Sequence, residues 1–122
     1  MKALTVQQPW ASLIASGAKC VETRTWRTPY RGPLAIHAAA GLDFDRAALA
    51  RDLGMSDLPR GRVLCIADLV DCRPLEEFVS KLMPVEQGYS TDGRFGWLLE
   101  NVRPVAGLPM ARGMLGLWEW MP

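Results

Sequence analysis

The chain has 122 residues, 49% of them hydrophobic and 22% charged, and its 14 basic and 13 acidic side chains leave a formal charge of +1. That length suits one domain with one core, and the balance excludes both a disordered chain and a uniformly basic polyanion binder. Three cysteines without a C-x-x-C pair, and His37 as the only histidine, exclude a disulfide framework and the usual four-ligand zinc spacing. No metal or cofactor is expected.

KALTV (2–6) reads as a short strand. Pro9 suits the first turn of a helix; Trp10, Leu13, Ile14 and Gly17 fall on one helical face, and Gly17 is a natural stop. CVETRTW (20–26) reads as the next strand, PLAIHAAA (33–40) as another, and DFDRAALARDLG (43–54) as a second helix capped by Asp43 and closed by Gly54. GRVLCIADLVDC (61–72) is a long apolar strand, PLEEFVSKL (74–82) one or two helical turns, and EQGYSTDGR (86–94) a polar loop. FGWLLENV (95–102) and GMLGLWEW (113–120) complete the strands. In the last, alternation sends Leu117 and Glu119 one way and Trp118 and Trp120 the other.

Arg31-Gly32, Arg60-Gly61 and Arg112-Gly113 each precede an apolar strand. The repeat reads either as glycine turns entering the strands of a small barrel or as three arginines ringing one rim. Five or six short strands with two helices near the front predict an α+β fold, a small mixed barrel rather than a βαβ repeat. Lys2 is followed by only a short apolar run, broken at Gln7 and Gln8, so no secretory leader is expected. No apolar segment approaches a membrane span. A cytoplasmic protein is expected, with a monomer as the favoured state.

Charge is uneven along the chain. Ahead of Asp43, the basic residues Lys2, Lys19, Arg24, Arg27 and Arg31 face Glu22 alone, so a basic surface belongs to the N-terminal third. Arg27 and Arg31 are its candidate nucleic-acid contacts. If CVETRTW is extended, Glu22, Arg24 and Trp26 share one face while Val21, Thr23 and Thr25 share the other. Lys19 joins the first face if the chain bends after Gly17. On a solvated strand, Glu22 and Arg24 would be a surface ion pair worth about 0–1 kcal/mol. Next to Gln7, Gln8 and Trp10 upstream, and Tyr30 and Arg31 downstream, the same charges complete the residue set of a nucleobase site: π-faces for stacking, amides for base edges, cations for phosphate.

LTVQQPWASLIASGAKCVETRTW followed by YRGPLAIHA resembles the activating signal cointegrator homology (ASCH) domain. Gly17, Lys19, Glu22 and Arg24 match that family's G-x-K-x-x-E-x-R pattern without a gap. LPRGRVLCIADLVDC, GRFGWLLENVRPV and the GLWEW ending extend the resemblance over nearly the whole chain, residues 1–122 as a single domain. It implies a mixed β-barrel of the PUA-like superfamily with flanking helices, and a cleft between the barrel and the first helix lined by the motif. Members of that superfamily commonly bind RNA or modified bases, so RNA or a modified nucleoside is the implied partner. Carried over, Lys19, Glu22 and Arg24 form the polar floor, with Glu22 as counter-charge to both cations, and Gly17 allows close backbone approach. Trp10 is the candidate stacking wall and His37 a residue within reach of the cleft, although a tryptophan on an apolar helix face is more often core and a lone histidine more often structural.

The resemblance also implies an alternative. Some small bacterial ASCH proteins are amidohydrolases that deacetylate N4-acetylcytidine through a Lys/Thr/Glu set, and ribonuclease activity is associated with the family. The position three after the lysine, threonine in those enzymes, is Glu22 here. A carboxylate can act as a base or bind a ligand, but it does not replace a hydroxyl nucleophile. A module that reads RNA or a modified nucleobase is therefore the first expectation, and a hydrolase with Lys19 and Glu22 as catalytic groups is the second.

Overall fold

Short apolar runs separated by glycine and proline leave little room for long helices, and strands dominate. In a computed structural model describing residues 1–122, β1 (Lys2–Val6), β2 (Val21–Arg24), β3 (Gly32–Ala38), β4 (Arg62–Pro74), β5 (Phe95–Pro104) and β6 (Leu117–Glu119) form one sheet. Its order is β2-β5-β4-β3-β1-β6. Only β1 and β3 are parallel; every other pair is antiparallel. The register shifts between Ile66 and Asp68, between Leu69 and Asp71, and again between Ile36 and His37. Such bulges bend a strand and strengthen its twist. The long β4 therefore curls the sheet into a half-barrel, and the fold is α+β. No helix is long and apolar enough to cross a membrane.

The central strands read as nearly continuous apolar runs because both of their faces are covered. On one side, Ala11 and Ile14 of α1 (Trp10–Ala15) pack with Leu4, Leu34, Ile36, Leu69 and Trp97, all fully buried. On the other, the alternate residues Ala3, Ala35 and Val63 meet Trp118 and Trp120. Cys65 is sealed inside, and burial pushes its thiol up to about 11 against the lowering effect of Arg103.

The second helix, α2 (Phe44–Asp52), begins as expected, with Asp43 Oδ1 accepting from the Arg46 N–H at 2.8 Å. The helical turns after β4 form a 3₁₀ segment, Leu75–Lys81, followed by a shorter one, Pro84–Glu86. The last strand is shorter than its apolar run. Gly113 lies so close to β1 and β3 that a Cβ there would meet Thr5 Oγ1 at 2.5 Å, and Gly116 has φ +65°. Residues 110–116 thus form a strap, and regular pairing begins only at Leu117. The arginine–glycine repeats do not ring one rim: Gly32 opens β3, whereas the Gly61 N–H donates to Ala38 O at the strand's far end.

The 75–81 segment packs Leu75 and Phe78 against Val21 of β2. At Gly96 on β5, an added Cβ would meet Phe78 Cδ2 at 2.5 Å and Val21 Cγ1 at 3.0 Å. Gly96→Ala is expected to cost about 1–3 kcal/mol of stability in urea denaturation. Gly88→Ala, with nothing within 4 Å of its Cβ, should stay within about 0.5 kcal/mol of the parent.

Candidate functional site

The half-barrel is open between its first two strands. β6 covers β1 only over Lys2–Leu4, and β2, paired with β5 alone, is the sheet's other edge. The Val6 carbonyl accepts from the Ala39 N–H on the β3 side at 3.0 Å. Successive strand carbonyls point to opposite edges, so that of Thr5 faces the gap. Arg24 on β2 reaches it: Nη2 donates to Thr5 O at 2.6 Å, while Nε donates to Glu22 Oε2 at 2.9 Å. One planar guanidinium spans the seam. Glu22 and Arg24 meet because alternate strand residues share a face.

Lys19 supplies the second ion pair. Gly17, at φ +85°, ends α1 in a conformation that L-residues avoid. The Lys19 N–H then donates back to Leu13 O at 3.0 Å, which turns the side chain inward. Its Nζ sits 2.5 Å from Glu86 Oε2 and 5.0 Å from the centre of the Trp10 ring. Both members are almost fully buried, with side-chain exposures of 3% and 6%. Glu86 Oε1 accepts from the Met83 N–H at 3.3 Å, which fixes the carboxylate within the 84–86 turn.

These groups floor a cleft of about 530 Å³ along the seam. Trp10, Trp26 and Tyr89 present aromatic surface to it. Trp26 is held edge-on against Trp97 at 4.8 Å, and Trp97 Nε1 donates to Trp26 O at 3.2 Å. The rim is open: Tyr89 is 53% exposed and Leu115, on the strap, 99%. Arg46 and Arg94 also border the cleft.

The structure thus brings Trp10, Lys19, Glu22 and Arg24 together. Several other candidates fall elsewhere. The counter-charge of Lys19 is Glu86 rather than Glu22, which pairs with Arg24. Gly17 does not line the cleft, and nothing lies within 4 Å of where its Cβ would be, so the positive φ is what calls for glycine there. His37 is buried beside a smaller cavity of about 370 Å³, with Nδ1 3.1 Å from Thr5 Oγ1 and Nε2 2.7 Å from Ala111 O. A carbonyl only accepts, so Nε2 carries a proton and donates to Ala111 O, which ties the strap to β3.

Arg27 is exposed over the Phe95 ring at 5.9 Å. Arg31 donates to Thr28 O and Tyr30 O and lies 3.8 Å from Asp71, whose carboxyl is held below its usual range first by a hydrogen bond from Arg73, with Arg31 adding to the effect. Neither arginine lines the cleft. Thr23 and Thr25, assigned by alternation to the other face, do border it, because the cleft runs along the free edge of β2. Sequence reasoning missed Arg46, Glu86, Tyr89 and Arg94. The last three lie in the EQGYSTDGR stretch, whose mixture of aromatic and charged residues was the available signal. No three His, Cys, Asp or Glu side chains gather as a metal site would require.

The model of the ASCH domain family matches residues 4–108. The chain belongs to the ASCH family. This ASCH domain is 31% identical over 127 residues to activating signal cointegrator 1 of Homo sapiens and 29% identical to that of Mus musculus. The alignment takes in 95% of the chain but only 22% of each relative's length. Among solved structures, an ASCH protein from Zymomonas mobilis superposes with a TM-score of 0.52 at 16% identity, over 84% of this chain and 68% of that one. A mutant of it gives 0.53 at 18%, over 86% and 70%. This likeness establishes the shared fold.

Removing one partner of a buried ion pair strands the other charge. Glu86→Leu is expected to lower stability by about 3–5 kcal/mol, and Lys19→Met in the same chain to restore most of that loss. Denaturant titration of both single variants and the double variant checks this; a double-variant loss equal to the sum of the two single losses would show that the two side chains are not coupled.

Proposed function

We propose that this ASCH domain is a binding module that takes a nucleobase, carried in RNA or as a modified nucleoside, into the cleft between β1 and β2. The observation that carries the reading is the convergence of three aromatic side chains with two self-neutralising ion pairs in one cleft. Stacking on Trp, Tyr or Phe is worth about 1–3 kcal/mol per base. The paired floor adds directional groups without net charge, which suits a neutral base edge. Lys19 has three N–H donors and one hydrogen-bond partner, Glu86. The Nη1 donors of Arg24 are likewise uncommitted. These donors face base carbonyls and ring nitrogens, while Glu22 accepts from an exocyclic amine. The volume falls in the range of small-molecule sites.

One observation keeps the hydrolase as a second reading: Thr23 and Thr25, which carry hydroxyls, border the same cleft as Lys19 and Glu22. Against it, Lys19 Nζ donates to Glu86 and Glu22 accepts from Arg24, rather than either meeting a hydroxyl. A nucleophile–base hydrogen bond is the signature of covalent catalysis. The reader is favoured on that ground.

Glu22→Gln separates the two. For a reader, the variant folds and its affinity or base preference shifts by about 1–3 kcal/mol, the scale of a hydrogen bond to a charged group. For a hydrolase, turnover of N4-acetylcytidine or short RNA falls on the order of 100-fold at nearly constant affinity. That second pattern, measured by calorimetry and product assay on one preparation, would overturn the reader.

A further inference from the structure

The floor and the rim of the cleft differ in charge. The buried groups cancel in pairs, Lys19 with Glu86 and Arg24 with Glu22. The remaining cations are Arg46 and Arg94, which border the cleft further out, and they come from opposite banks of the seam. Arg46 on α2 donates from Nη2 to Gln7 Oε1 at 3.0 Å, just beyond the end of β1. Arg94 precedes Phe95, which pairs with Arg24 at the end of β2.

The two arginines differ in how far they are committed. Arg46 is largely committed: it shares its charge with Asp43 at 2.8 Å, and its Nε is buried without a hydrogen-bond partner. Arg94 has a fixed backbone, its N–H donating to Thr91 O at 3.2 Å and its carbonyl accepting from the Leu75 N–H at 2.9 Å. The residue is exposed, and its side chain enters no ion pair within the chain.

We infer that Arg94, assisted by Arg46, holds a phosphate at the mouth of the cleft, so that the ligand is a phosphorylated nucleotide unit rather than a free nucleoside. This rests on the nucleobase reading of the floor and adds the group that enters with the base. An exposed, unpaired arginine next to a neutral base pocket is a fork for phosphate oxygens. The arginines that sequence charge favoured, Arg27 and Arg31, are directed to Phe95 and to Asp71 with nearby carbonyls. They are not part of this mouth. The phosphate can belong to a free nucleotide or to an RNA strand, and the two sources are separable.

The test uses adenosine, cytidine, guanosine, uridine and N4-acetylcytidine, each alone and as its 5′-monophosphate, together with a short single-stranded RNA. Affinities are measured for the parent chain, Arg94→Gln, Arg46→Gln, the double variant and the control Arg27→Gln/Arg31→Gln, with folding checked by circular dichroism. At least one monophosphate or the RNA should bind about tenfold or more tightly than its nucleoside, the worth of one charge-assisted hydrogen bond. Arg94→Gln should remove most of that preference, Arg46→Gln less, and the control none, with nucleoside affinity unchanged throughout. Loss confined to the RNA assigns the phosphate to a strand; loss with the monophosphates as well shows that a single nucleotide suffices. Equal binding of nucleosides and phosphorylated forms, or a preference that survives the double variant, overturns the inference while leaving the nucleobase reading intact. No binding by any of these ligands overturns both.

Discussion

Arg24 joins two strands that the sheet leaves apart. Its guanidinium takes the Thr5 carbonyl on β1 and the Glu22 carboxylate on β2, so a side chain stands where a closed barrel would place backbone ladder bonds. A free sheet edge presents unpaired polar groups that must find water, a side chain or a ligand. Here the answer is a cleft with charged side chains along its length. The turn after α1, the 84–86 segment and the strap before β6 all converge on this seam, which is why residues distant in sequence share it.

The ion pairs are better understood as geometry than as stability. Burying charges carries a large desolvation cost that mutual attraction only partly offsets, and well-packed apolar residues often serve a fold as well or better. Stability comes from the packed faces of the central strands. What Lys19–Glu86 and Arg24–Glu22 supply is direction. Each fixes donors and acceptors at a defined place beneath aromatic surfaces, at a depth where competing water is scarce and a hydrogen bond to a ligand is electrostatically stronger. Such preorganisation lowers the ordering cost of binding.

Local signals made the strands legible. β1, β3 and β5 follow apolar runs bounded by glycine, proline or polar clusters, and Asp43 marks α2. Strand alternation put Glu22 and Arg24 on one face, with Lys19 joining them if the chain bends after Gly17; that this face lines a cleft came from the resemblance to the ASCH domain. The other half of the site was not legible. Glu86 and Arg94 become neighbours of the motif only through the β2–β5 pairing and the packing of the 75–81 segment, and no local periodicity encodes such pairing. Charge counting along the chain singled out Arg27 and Arg31, yet linear clustering says nothing about which way a side chain turns. Of the two readings open for His37, the structural one fits its place: the bulge between Ile36 and His37 and the strap packed on it, which depend on tertiary contacts, hold it away from the cleft.

The central claim is that the open seam receives a base. It is tested most directly by a crystal structure of the protein grown with a nucleotide or short RNA that binds in solution. The account predicts a base between β1 and β2, stacked on Trp10, Trp26 or Tyr89, with its edge within hydrogen-bond distance of Glu22, Arg24 or Lys19. A ligand seated instead on the outer surface beside Arg27 and Arg31, with the seam and its ion pairs unchanged, would contradict it.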